Sequence, residues 1–232
     1  MTDDPPLVLD IDGTLTRPDD EGLDPRLFDV VRDWDAPVVL ATGKAFPYPV
    51  ALCDYIGIEH RVVAETGGIV YANDQLAVNG DGDDARAVAR AFQEAGYEMG
   101  WPDGDMINRW RETEVAISLD APEDVLRDIA ADYGLEIVDS GYAYHIKSPD
   151  VTKGQGVETV AELLGIDPES FVAVGDSEND VSTFEVVGRS FAVANGDERA
   201  KEAADAVVDG AHADGTLQAL QSVRGSDEYA SP

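Results

Sequence analysis

One cysteine, four lysines and no long apolar run mark this 232-residue chain, and each shortage excludes something. Cys53 has no partner for an internal disulfide, so the fold must rest on its core, and a reducing compartment is expected. No segment approaches the ~18 uninterrupted apolar residues of a membrane span. The acidic amino terminus has no basic n-region and its first apolar run is only Leu7 to Leu9, so no signal peptide is expected and the protein is placed in the cytoplasm. Basic residues are scarce: 16 Lys and Arg face 48 Asp and Glu, a formal net charge of −32. Such a surface repels a phosphate backbone and an anionic leaflet, so neither nucleic acid nor membrane is an expected partner. Like charges destabilise the compact state in dilute buffer, whereas molar salt, with a Debye length of about 3 Å, removes most of that penalty. The acidity therefore reads as halophilic adaptation, and any single Asp or Glu is first a solvated surface group.

What is present describes a globular chain. Apolar residues at 44%, with 22 glycines and 12 prolines, fit neither disorder nor a collagen repeat. Short apolar runs bounded by turn residues recur at Leu7 to Leu9, Val38 to Leu40, Val62 to Ala64, Phe171 to Val174 and Phe191 to Val193. Runs apolar on both faces and separated by helical patterns predict buried parallel strands with crossover helices, an open α/β sheet. One crossover helix is predicted from Thr152, which forms a capping spacing with Gln155, through an apolar stripe at Val157, Val160, Ala161 and Leu164 to Gly165.

The stretch from 79 to 149 changes pattern. Val88, Ala89, Phe92 and Ala95 line one helical face, and Glu114 to Leu119 reads as a strand. A second helix opens at Asp120 and Pro122 with Val125, Leu126, Ile129 and Tyr133 inward, and strands follow at Leu135 to Val138 and Tyr142 to Ile146. This predicts a small α+β module (79–149) inserted into a discontinuous α/β domain (1–78 and 150–232), with a frayed tail from Gly225. Trp101, Trp110 and Tyr142 are expected in the core of the insert.

The chemistry-bearing residues fall at strand ends. Asp10-Ile11-Asp12-Gly13-Thr14 places two carboxylates two residues apart at the carboxyl edge of the first strand, where open α/β folds bind ligands. Converging carboxylates repel unless a cation or a shared proton compensates, and a hard divalent ion such as Mg²⁺ with oxygen ligands is the economical answer. A calcium loop counted from Asp10 fails, because Leu15 stands where such a loop needs glycine. A second acidic group, Gly175-Asp176-Ser177-Glu178-Asn179-Asp180, follows a later strand; Thr42-Gly43 ends the second, and Lys153 opens a helix. A hydroxyl, a glycine amide, an ammonium and a metal together suit a phosphoryl group, whose transfer needs charge offset on three equatorial oxygens.

In this order the four motifs resemble those of the haloacid dehalogenase superfamily phosphatases, and the insert resembles the smaller form of that family's type 2 cap on a Rossmann-like core. Ala64-Glu65-Thr66-Gly67-Gly68 and the Gly175 to Asp180 string are similar to the archaeal phosphoglycolate phosphatase family, although relatives usually carry Asn at Thr66 and often Arg at Lys44. The resemblance implies a Mg²⁺-dependent phosphomonoesterase that takes a small-molecule phosphate ester, 2-phosphoglycolate first. Asp10 would be the nucleophile that becomes an aspartyl-phosphate, and Asp12 the acid and then the base. Asp10, Asp12 (by its carbonyl), Asp176 and Asp180 would hold the metal, while Thr42, Gly43 and Lys153 hold the phosphoryl oxygens. A sugar-phosphate phosphatase and a phospho-receiver switch remain as alternatives. His60, His145 and His212 match no metal or triad spacing and are expected to be structural or solvated, while Arg111 and Lys147 are candidates to meet a substrate carboxylate.

Overall fold

The computed structural model describes residues 4–18, 22–102, 105–140 and 143–225. In chain order its elements are β1 (Leu7–Asp10), α1 (Arg26–Arg32), β2 (Val38–Ala41), α2 (Pro47–Ile56), β3 (Val62–Ala64), β4 (Ile69–Ala72) and β5 (Gln75–Val78). Then come α3 (Gly82–Glu94), β6 (Val115–Ser118), α4 (Glu123–Asp132), β7 (Glu136–Asp139) and β8 (Ala143–Lys147). The chain continues through α5 (Lys153–Leu164), β9 (Val172–Gly175), α6 (Val181–Phe184), β10 (Arg189–Ala192), α7 (Glu198–Ala203), β11 (Ala206–Val207) and α8 (His212–Gly225). No helix among the described residues is long and apolar enough to cross a membrane.

Eight strands form one sheet in the order β11-β10-β9-β1-β2-β3-β4-β5, parallel from β11 to β3 and antiparallel at β4 and β5. Its central strands are buried on both faces, which is why the sequence shows them as uninterrupted apolar runs. Leu7 and Leu9 pack with Leu27, Val31, Leu52 and Leu220 under α1, α2 and α8, while Val8 packs with Val157, Val160 and Ala161 under α5. Period-two alternation then puts Asp10 on the same side as Val8, the side that α5 covers. Thr152 caps α5 by accepting the Gln155 amide at 3.1 Å, and Gly165 ends it in the left-handed conformation at φ 67°. The β4–β5 hairpin is absent from the sequence reading.

Between β5 and α5 lies a second, antiparallel sheet in the order β6-β8-β7. One face packs on α3 and α4 through Val88, Phe92, Leu126, Val115, Ile117, Tyr144 and Ile146. The other face carries Glu114, Val138, His145 and Lys147, the alternate positions of the same strands, and looks toward the carboxyl edge of the large sheet. Three expected core members of this module lie outward. Ala95 follows the last turn of α3 and is exposed, Tyr133 closes α4 at 41% exposure, and Trp110 at 40% rests edge-on against Tyr48 of α2. Trp101 is half-buried and donates Nε1 to the Ala116 carbonyl, whereas Tyr142 and the tail beyond Gly225 lie outside the described residues.

Candidate active site

β1 sits between β2 and β9, so the chain leaves it in one direction and returns on the other side, and the crevice at such a switch point opens beyond the strands' carboxyl ends. Asp10 ends β1 there, and Asp176 follows the last residue of β9. Asp10, Asp176 and Asp180 each offer a carboxylate oxygen within 4.8 Å of the other two, a group that can hold a metal ion. Gly13, at φ +79°, makes this convergence possible, since a Cβ there would lie 1.9 Å from Asp176 Oδ2.

Lys153 is fully buried and reaches the cluster from the first turn of α5, donating to Asp10 Oδ1 at 2.9 Å and to Asp180 Oδ1 at 2.6 Å. Burial opposes its charge, but Asp10 and Asp180 outweigh that and hold the ammonium above its ordinary range. Asp180 Oδ2 accepts the amides of Asp176 at 3.0 Å and Ser177 at 3.1 Å, so Asp180 is fixed on both oxygens. Asp10 Oδ2, by contrast, is buried without a hydrogen-bond partner. A buried carboxylate oxygen left bare costs free energy, and one facing two other carboxylates fits a cation or a reacting electrophile.

Burial, then the charge of Asp180 and Asp12, lifts the Asp10 carboxyl to about 7 against the pull of Lys153; burial, then Asp10 and Asp180, lifts Asp176 to about 8. A carboxyl whose pKa is raised by folding keeps its proton in the native state after the unfolded chain has released it. The metal-free protein therefore loses stability between about pH 4 and about pH 8, and a divalent ion, which needs both groups ionised, restores it. The rise in Tm on adding Mg²⁺ should be larger at about pH 8 than at about pH 5.5 by scanning calorimetry. Equal shifts at the two pH values would contradict this electrostatic account.

The Asp12 carboxylate is not one of the three that converge. It is exposed to the cleft and its Oδ2 pairs with Lys44 Nζ at 2.9 Å. Thr42 is buried; its Oγ1 accepts the Lys44 amide at 3.1 Å and its carbonyl accepts the Thr66 amide at 3.2 Å. Thr42, Gly43 and Thr66 thus form the wall beside Asp10 and Asp12. Glu65 and Thr66 both take positive φ, 51° and 55°, and Gly67 follows at 104°, where a Cβ would meet the Thr152 carbonyl at 2.0 Å. This tight loop turns the Glu65 side chain away from the sheet and into the second module.

There Glu65 accepts the amides of Glu112 at 3.0 Å and Thr113 at 2.7 Å, and the Thr113 hydroxyl at 2.6 Å. Burial pushes its carboxyl pKa upward. Glu65→Ala leaves these donors without an acceptor in a buried joint, a cost of about 1–3 kcal/mol. Its Tm should fall accordingly while Glu65→Gln loses less; an unchanged Tm in Glu65→Ala would refute the latch.

The cleft between the two sheets holds about 610 Å³ and is lined from below by Asp10, Asp12, Gly13, Thr42, Gly43, Lys44, Asp176 and Asn179. From above it meets Arg111, Ser140, His145 and Lys147. His145 has the structural role expected of it: it is buried, places Nδ1 3.0 Å from Glu114 Oε1 and Nε2 3.1 Å from Ser140 Oγ, and faces the cleft. Glu114, Ser140 and His145 were not singled out for function. The signal was available in Ala143 to Lys147, where apolar Tyr144 and Ile146 alternate with polar His145 and Lys147.

Comparison with known proteins agrees with this architecture. The profile of the haloacid dehalogenase-like hydrolase family matches residues 118–220. The phosphoglycolate phosphatase of Halorubrum lacusprofundi is 57% identical over 222 residues, covering 95% of this chain and 97% of the relative. That of Halobacterium salinarum is 53% identical over 223 residues, 96% and 99% of the two chains, and that of Methanosarcina acetivorans 38% identical over 218 residues, 93% and 94%. Among solved structures, Thermoplasma acidophilum 0175 superposes with a TM-score of 0.82 at 25% identity over 95% of this chain and 98% of the other. The Synechocystis sucrose-phosphatase in complex with sucrose and phosphate gives 0.68 at 16% identity over 95% and 98%, a likeness of fold.

Proposed function

The chain belongs to the haloacid dehalogenase-like hydrolases and is a phosphatase, and on that premise we propose that it hydrolyses 2-phosphoglycolate to glycolate and phosphate with Mg²⁺ in a salt-rich cytoplasm. One observation carries the chemistry: three carboxylates and one buried lysine meet at the floor of the cleft, and Asp10 keeps one oxygen unpartnered. The substrate comes from the relatives, which are named phosphoglycolate phosphatases along nearly their whole length.

In this reading Lys153 fixes Asp10 Oδ1 and leaves Oδ2 to attack phosphorus. The P–O bond to the leaving group breaks as an aspartyl-phosphate forms. Asp12 lies across the cleft floor, where its carboxyl gives a proton to the leaving oxygen and then takes one from the water that opens the intermediate. Thr42, the Gly43 amide and Lys153 take up the phosphoryl oxygens, and the second module excludes bulk water. Asp10, Asp176 and Asp180 would hold a divalent cation, Mg²⁺ being the natural choice among oxygen ligands, which would offset their mutual repulsion and the phosphoryl charge.

Phosphate release from a panel of esters with Mg²⁺ tests the substrate: 2-phosphoglycolate is expected to give the highest kcat/KM, and a preference for hexose phosphates would overturn it. The sugar-phosphate and phospho-receiver alternatives draw no support from relatives named for phosphoglycolate. The salt reading rests on the net charge of −32. Tm should rise between about 0.1 M and about 2 M KCl as self-repulsion is screened, and a flat curve would remove that reading.

A further inference from the structure

The cleft concentrates the lysines of a chain that has few of them. Three of its four lysines, Lys44, Lys147 and Lys153, line it or the groove that continues from it, and Arg111 joins them. Donor by donor they are not equivalent. Lys153 is committed to Asp10 and Asp180. Lys147 has three N–H groups and three acceptors: Glu136 Oε1 at 2.6 Å, the Ser148 carbonyl at 3.3 Å, and the Val151 carbonyl. Lys44 sits on Asp12, the group assigned to the leaving oxygen.

Arg111 is different. Its Nε donates to the Ile107 carbonyl at 3.2 Å, and its Nη1 donates to the Gly43 carbonyl at 2.9 Å and to Glu114. Nη2 makes no hydrogen bond among the described residues and is not among the polar atoms sealed from solvent without a partner, although only 6% of the side chain is exposed. Glu114 is itself buried, and although burial pushes its carboxyl up, His145 and Arg111 outweigh that and hold it below the ordinary carboxylate range. The guanidinium is thus clamped through Nε and Nη1 by an anion and by one carbonyl from each module, Ile107 and Gly43, and keeps the two N–H groups of Nη2 for the cleft that Arg111 lines. A charged nitrogen held in place this way is suited to a carboxylate, with little entropy left to lose on binding.

We propose that Arg111 is a specificity-determining residue of this phosphatase, its Nη2 edge receiving a carboxylate carried by the leaving group. Position supports the assignment: Arg111 binds the carbonyl of Gly43, the residue before Lys44, and Lys44 touches Asp12. Both cations therefore line the cleft beside Asp12, the side on which a carboxylate one carbon beyond the leaving oxygen is expected.

The inference rests on the phosphoglycolate reading, so the test separates the two. The ratio of kcat/KM for 2-phosphoglycolate over ethyl phosphate, which lacks the carboxylate, is measured for the Mg²⁺-loaded wild type, Arg111→Gln and Arg111→Lys. The ratio cancels general damage to the phosphoryl site. It is expected to be well above one in the wild type and to fall by about 10- to 100-fold in both variants, as for loss of a charge-assisted hydrogen bond. Lysine keeps the pairing to Glu114 and with it the wall of the cleft, but has no second nitrogen to offer, so Arg111→Lys decides should Arg111→Gln fail to fold. A wild-type ratio near one sinks the phosphoglycolate reading itself. A high wild-type ratio that a folded Arg111→Lys retains overturns the role of Arg111 and leaves that reading standing.

Discussion

Asp10→Asn is expected to lower kcat by at least about 10³-fold toward every phosphate ester, the scale of losing a covalent nucleophile. A carboxamide is nearly isosteric with the carboxylate, and its carbonyl oxygen can still accept from Lys153, so the fold should survive. The substitution also removes one of three repelling carboxylates, whose pKa burial has already raised to about 7. The metal-free variant should accordingly be as stable as the wild type or more so at about pH 8, while gaining less from Mg²⁺. Rapid-quench measurement of bound phosphate would find no acid-stable phosphoenzyme in the variant. Turnover within tenfold of wild type would sink the covalent mechanism, and a variant that is unfolded by circular dichroism would show that Asp10 is structural.

Lys153→Met should have the largest effect on stability. Lys153 is fully buried and is the ammonium between Asp10 and Asp180, both themselves almost wholly buried. Methionine fills similar volume but leaves two carboxylates facing each other with no ammonium between them, Asp180 keeping only the amides on its Oδ2. Removing one side of a buried ion pair costs about 3–5 kcal/mol, and at about 2–4 °C per kcal/mol for a chain of this size the drop in Tm is plain in a thermal scan. Some loss can be recovered by protonation, because Asp10 and Asp176 already resist ionisation; the deficit should therefore shrink as pH falls toward about 5. Activity should fall with it, since Asp10 loses the contact that aims its free oxygen. A Tm within a degree of wild type at about pH 8 would mean that the cluster is neutralised by protons and that Lys153 is dispensable to it.

Much of the α/β core was legible because a strand buried on both faces must be apolar throughout, as Leu7 to Leu9 and Val172 to Val174 are. The β4–β5 hairpin was not. β5 is half-exposed, with Leu76 and Val78 each 55% accessible, so its run is neither continuous nor cleanly alternating. The turn did leave a mark, since Asn73 and Asp74 both take positive φ, 51° and 58°, as a two-residue hairpin turn requires. Trp110 and Tyr133 were read inward from helical spacing and aromatic character alone, but each sits at the end of its segment, where packing partners run out.

The amino-acid order by itself determined which residues are candidates for the chemistry. Strand ends and helix starts can offer only a few side chains to a ligand, and a phosphoryl group beside an oxygen-bound metal would call for carboxylates, a hydroxyl and an ammonium, the residue types found at Asp10, Asp12, Thr42, Lys153, Asp176 and Asp180. Tertiary structure alone decided how each charge is used. Lys153 meets Asp10 across 143 positions, Glu65 fastens Glu112 across 47, and Arg111 reaches Gly43 across 68. Whether a cation is saturated, as Lys147 is, or keeps an edge free, as Arg111 does, depends on which acceptors lie within about 3 Å of each nitrogen, a property of space that no spacing along the chain encodes.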